Sequence, residues 1–175
     1  MIGFSHRAAI AVAVLGLVAT SLSATDGRAD SALADGKAEG TLTVNGKTTK
    51  VAFAYARSVP GFFDPNTNDI QVIVSDVALD AKAQADEFVR IGMAKDGKLH
   101  AFEITINAAG TPVSTAWRHD GFNGPMPSGL SSDDVFTKKV LDDKVVEGSY
   151  RSAADEEFFG NTYAFDVSFR AAIAH

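Results

Sequence analysis

The chain has 175 residues and no cysteine, with 16 Lys plus Arg against 22 Asp plus Glu for a net charge of −6. Disulfide frameworks, thiol nucleophiles and lipidation of a processed N-terminal cysteine are therefore excluded, and the acidic balance opposes nucleic-acid backbones and anionic lipid surfaces as partners. A chain of this length suits one domain, able to bury roughly 70% of its unfolded surface without covalent staples.

Residues 1–24 run from a basic start (His6, Arg7) through the uncharged apolar stretch AAIAVAVLGLVAT into the small, polar SLSA. That is the layout of a Sec-type signal peptide, and Ser21 and Ser23 meet the small-residue rule, so the mature chain is expected to begin near Ala24 or Thr25. The apolar run is shorter and richer in alanine than the about 20 residues that cross a bilayer, and no Arg-Arg pair marks twin-arginine export. The expectation is a periplasmic or extracellular, soluble protein that is not a lipoprotein and leaves the membrane after cleavage. Loss of Arg7 leaves 15 basic against 22 acidic side chains, a net charge of −7.

Residues 25–39, rich in Ala, Asp, Ser and Gly, read as a flexible leader. A single β-rich domain is expected over 40–175. It opens with GTLTVNGKTTKVAFAYA, in which Asn45-Gly46 suits a type I′ hairpin turn with Val44 facing Lys47. Period-2 alternation then puts Leu42, Val44, Val51, Phe53 and Tyr55 on one face, and Thr41, Thr43, Thr48, Lys50, Ala52 and Ala54 on the other. IQVIVSDV (70–77) is apolar on both faces, which predicts a central strand.

The period changes over DAKAQADEFVRIGMAKDGK, where Ala85, Phe88, Val89 and Met93 recur at helical spacing between a capping Asp80 and a terminating Gly97. One amphipathic helix is predicted there. LHAFEITINAAGTPVSTAWRH reads as two strands around Ala109-Gly110. VFTKKVL and KVVEGSYR form a hairpin around Asp142-Asp143, unless SSDD caps a helical turn, and TYAFDVSFRA sets Tyr163, Phe165, Val167 and Phe169 inward. About eight antiparallel strands with one helix predict a mainly β domain. A lipocalin-like barrel, a β-sandwich and a curved sheet packed on the helix share this local signature.

Pairing Asn107 with Pro112 places Ile106 opposite Val113, Ile104 opposite Thr115, Phe102 opposite Trp117 and His100 opposite His119. Directly opposed side chains have β-carbons roughly 4.5–5.5 Å apart, close enough for two imidazoles to ligate one metal, with Asp120 adjacent as a third donor. The loop DPNTND repeats oxygen donors at Asp64, Asn66 and Asn68, but Asp69 and Ser75 stand where an EF-hand needs Gly and an acid, so Asx turns explain it better. Two diphenylalanine loops, Phe62-Phe63 and Phe158-Phe159, would line the mouth of an apolar site together with Trp117, or plug the ends of the core. Neither GxSxG, HExxH, a P-loop nor GxGxxG occurs. The adjacent acids Asp133-Asp134, Asp142-Asp143 and Glu156-Glu157 point to opposite sides of an extended chain and read as solvated turn residues.

Two functions are expected from these features. The first is an exported, non-catalytic binding module for a small apolar or amphipathic ligand or a protein partner, with an apolar opening near the Phe pairs. The alternative is a metal protein or enzyme centred on His100, His119 and Asp120. No particular cofactor is implied.

Overall fold

A computed structural model of the chain describes residues 33–175; the expected signal segment and most of the leader lie outside the described residues. The elements follow as β1 (Lys37–Val44), β2 (Lys47–Lys50), β3 (Phe53–Pro60), β4 (Asn68–Ser75), α1 (Ala81–Ala85), α2 (Glu87–Lys95), β5 (Ala101–Ile106), β6 (Pro112–Arg118), β7 (Val135–Leu141), β8 (Val145–Arg151), β9 (Glu156–Phe158) and β10 (Asn161–Ala174). β1 thus begins inside the segment read as leader. One curled sheet runs β6-β5-β4-β3-β1-β10-β8-β7, with β2 added to β1 and β9 to β10. Its pairings are antiparallel except where the end of β10 meets β3, Ile173 beside Ala56.

The last strand does pair with the first, Phe165 opposite Leu42. That contact lies inside the sheet, so β6 and β7 remain its two ends and the architecture is a half-barrel, not a closed lipocalin-like barrel. Gly40 makes the close β1–β10 approach possible: its φ is +118°, and a β-carbon there would collide with the Asp166 carbonyl.

The first hairpin forms in the expected register, Val44 opposite Lys47, with Asn45 at φ 50° and Gly46 at φ 78°. Its predicted face fails beyond Val51. β1 pairs Thr41 with Lys50 but Lys37 with Phe53, and the two intervening stretches differ by one residue. A one-residue slip turns every following side chain over. Ala54 and Ala56 therefore enter the core, and Tyr55 turns outward to pack against the helix layer.

The concave interior is filled by side chains. Phe102, Trp117, Phe122, Tyr150, Phe165 and Phe169 are all buried, and Phe102 stacks 4.4 Å from Phe165 and 5.2 Å from Trp117 between ring centroids. Ile73, Leu79, Ala83, Leu99 and Ala101 form a second cluster on the other face, under Val89 and Met93 of α2. β4 is apolar on both faces because Val72 and Val74 face the interior while Ile73 faces this helix layer.

Two helices replace the single one expected. Asp80 caps α1, its Oδ1 accepting from Ala83 N–H at 2.8 Å, and Asp86 breaks the run with extended backbone and caps α2 through Phe88 N–H at 2.8 Å. The break rotates α2, leaving Phe88 75% exposed and Arg90 fully buried. Gly97, at φ 66°, closes α2 as foreseen, with Gly97 N–H donating to Ala94 O and Lys98 N–H to Met93 O.

Candidate metal centre

His100 immediately precedes β5 and His119 immediately follows β6. Between them the ladder keeps the expected register, Phe102 opposite Trp117 and Ile104 opposite Thr115, and shifts only at Ile106, which faces Pro112 instead of Val113. Extending that register by one step brings the histidines together at the rim, ring centroids 4.3 Å apart. Asp120 joins them, and one donor atom from each of the three residues lies within 4.8 Å of the other two.

Each donor is oriented by its neighbours. His100 Nδ1 lies 2.6 Å from Asp76 Oδ2, while Asp76 Oδ1 accepts from His100 N–H at 2.9 Å, so one carboxylate grips both ring and backbone. A proton on Nδ1 leaves Nε2 as the ligating atom, the usual carboxylate–histidine–metal arrangement. Nε2 faces Asp120 Oδ1 at 2.9 Å.

At His119, Nδ1 accepts from Gly121 N–H at 2.9 Å, and Nε2 lies 3.4 Å from Thr49 Oγ1. Nδ1 is therefore unprotonated, its lone pair engaged by that amide, and Asp120 Oδ1 lies 3.4 Å away. Burial, reinforced by the His100 charge, pushes the His119 pKa down to about 4, so its imidazole is neutral near pH 7, the form that ligates metals. Burial alone would raise Asp120, but the hydrogen bond from His100 and the charges of His100 and Lys47 outweigh it and hold the carboxyl below its usual range. Lys47 Nζ reaches Asp120 Oδ1 at 3.7 Å from the exposed side.

The segment after His119 is fixed by an amide network. Asn45 Nδ2 donates to Gly121 O and to Asn161 Oδ1, both at 2.9 Å, and Asn123 N–H donates to Asn161 Oδ1. Asn161 is fully buried. Asp76, Thr49, Asn45 and Asn161 are absent from the sequence-based site. The β4–β5 register, Ser75 opposite Ala101, places Asp76 opposite His100, a pairing that no local pattern in the sequence announces.

The aromatic candidates do not assemble. The Phe62-Phe63 turn between β3 and β4 lies beyond the N-terminal end of β1, whereas the Phe158-Phe159 turn between β9 and β10 lies beside its C-terminal end, so the pairs sit at opposite ends of the sheet. Phe62, Phe63 and Phe159 are exposed, and Trp117 is a core residue. Trp117 and Phe158 line one cavity, of about 100 Å³, with Asp134 and Glu156. In the DPNTND loop, Asp64 Oδ1 accepts from Asn66 N–H at 2.9 Å, the Asx turn expected.

Asp134 and Glu156 depart from the solvated-turn reading. They belong to different acidic pairs, yet they line one cavity, with Tyr150 Oη donating to Asp134 Oδ2 at 3.2 Å and Tyr163 Oη to Glu156 Oε2 at 2.8 Å. Alternation along each strand separated neighbours in sequence correctly, but it carries no information on acids brought together from distant segments.

Fold and site together define a half-barrel β domain with an imidazole–carboxylate cluster at one rim. Compared with known proteins, the chain matches no family model, no curated protein and no solved structure. Among the described residues, no helix is long and apolar enough to cross a membrane.

Proposed function

We propose that the chain is an exported β-domain that binds one divalent transition metal ion, zinc or an ion of similar preference, through His100, His119 and Asp120. Binding, not turnover, is the activity proposed. Export rests on the residue pattern of 1–24 alone.

The observation that carries the metal reading is the convergence of one donor atom from each of His100, His119 and Asp120 within 4.8 Å of one another, Asp120 Oδ1 lying 2.9 Å from His100 Nε2 and 3.4 Å from His119 Nδ1. His119 Nδ1 accepts from Gly121 N–H in this structure, so an ion bound there takes the place of that hydrogen bond. For a tetrahedral ion with bonds of about 2.0–2.1 Å, neighbouring donors are roughly 3.3 Å apart, close to both separations. Two neutral imidazoles and a carboxylate suit zinc, with Asp76 behind His100 adding orientation and negative charge.

An apolar ligand is the second reading; the cavity that Trp117 and Phe158 share, about 100 Å³, is small for a ligand site. Exposed Phe62, Phe63 and Phe159 favour a protein partner as the other form of that reading.

The test uses untagged protein stripped with chelator, reloaded with Zn²⁺ or Co²⁺ and desalted. One ion per chain by elemental analysis is expected, with visible Co²⁺ bands of tetrahedral intensity. A His100→Ala/His119→Ala variant should retain none. Equal metal content in that variant, or an empty wild type, would sink the reading.

A further inference from the structure

We propose that Asp134 and Glu156 form a proton-operated latch: sharing a proton, they hold the segment 130–134 against β9, and ionisation of the pair releases that segment and opens the aromatic cavity behind it. This is independent of the metal reading.

The geometry begins at the open seam of the half-barrel. After β6 the chain folds back, and residues 127–129 lie along β6 as a surrogate strand: Trp117 N–H donates to Pro127 O at 3.0 Å, Gly129 N–H to Thr115 O at 3.0 Å, and Ala116 bridges Ser128. Beyond that anchor, Gly129 has φ +120° and Leu130 is 47% exposed. The chain is next fixed at Val135, where β7 begins. Asp134 is the residue just before it, and it lines the same cavity as Glu156 on β9. Leu130, Ser131 and Asp134 help to line a cavity of about 100 Å³ together with Trp117, Phe158 and Tyr163.

Two carboxyls lining one small cavity, each with a buried oxygen, cannot both stay ionised at low cost, because like charges repel there. Asp134 Oδ1 and Glu156 Oε1 are buried atoms without hydrogen-bond partners in the structure. The groups facing Asp134 are Glu156 from β9 and Tyr150 from β8, with the Tyr163 hydroxyl of β10 on the far carboxyl. Both phenols are held protonated, burial and the adjacent acids raising them, so they donate to the pair and do not neutralise it. Flanking Asp133, Asp155 and Glu157 add negative charge, and Arg151, cross-strand from Val135, is exposed. Burial, followed by the Glu156 charge, raises Asp134 from 3.8 to about 6. The pair therefore holds its proton in mildly acidic solution and loses it towards neutrality.

Trp117, the single tryptophan, lines the cavity and supplies the readout. Acrylamide quenching of its fluorescence, measured from pH 5 to 7.5 with chelator present, is expected to be weak at pH 5 and to rise severalfold with a midpoint near 6. Asp134→Asn keeps the shape and supplies an amide N–H to Glu156 without titrating, so quenching should stay low across the range. Glu156→Gln should do the same from the other side. A rise that persists with the same midpoint in both variants would assign it to the histidines and overturn the latch, as would a wild type with no transition. Folding of each variant is checked by far-UV circular dichroism. If Asp134→Asn fails to fold, Glu156→Gln alone decides between these outcomes.

Discussion

Asp76 holds His100 at two points, ring and backbone, from the strand beside it. Its carboxylate fixes which nitrogen of His100 faces Asp120, and it adds negative charge behind a site whose other imidazole is neutral. Replacing Asp76 by Asn keeps the size and loses the charge, so metal affinity should fall about 10–100-fold with the stoichiometry unchanged. Competition with a chromogenic chelator measures it, and a change below twofold would mean that Asp76 serves only the fold. The His100–His119 contact was legible in the sequence because one hairpin register generates it. Asp76 was not, because β4 and β5 are joined through both helices and nothing local relates their registers. Asn161 was less legible still: its partners Asn45 and Asn123 come from two other turns.

The helix layer shows how a local pattern can be right in kind and wrong in face. Ala85, Phe88, Val89 and Met93 do repeat at helical spacing, but Asp86 is a strong capping residue, and its capture of Phe88 N–H restarts the helix one-third of the way along. What settles the new orientation is a buried ionic contact that periodicity cannot reveal. Arg90 donates from Nε and Nη2 to Glu103 at 2.8 and 2.9 Å, and from Nη1 to the α1 carbonyls of Ala83 and Gln84. Arg118 Nε also lies 2.8 Å from Glu103 Oε1. One carboxylate thus lies against two buried guanidinium groups; without it Arg90 keeps only the carbonyls of Ala83 and Gln84, and Arg118 only the Trp117 carbonyl and Glu87 at 3.7 Å. Glu103→Ala should cost about 3–5 kcal/mol by urea unfolding; a loss under about 1 kcal/mol would mean the arginines find other partners. β10 is the opposite case. Its alternation is regular over the whole strand, Phe165, Val167 and Phe169 are buried as expected, and Phe165→Ala should cost about 3–5 kcal/mol.

Across the molecule, two titrating groups at different places on the sheet act against each other. Asp134 folds with its carboxyl raised from 3.8 to about 6, burial being the leading cause, so the folded chain binds more protons than the unfolded chain between those values. Its contribution to stability is fully present below about pH 4 and is lost as pH climbs through 6. His119 is lowered from 6.5 to about 4, again chiefly by burial, so here the unfolded chain binds more protons. That contribution is fully present above pH 6.5 and is lost as pH falls towards 4. The windows overlap and the slopes have opposite signs, so wild-type stability in chelator should change little between pH 4 and 6.5 on account of these groups. Asp134→Asn removes one arm of the balance and leaves the other. In that variant the urea midpoint should rise steadily with pH across the same interval, where the wild-type midpoint stays nearly level. Parallel profiles for the two proteins would show that Asp134 does not hold its proton into the mildly acidic range, and the latch would fail with it.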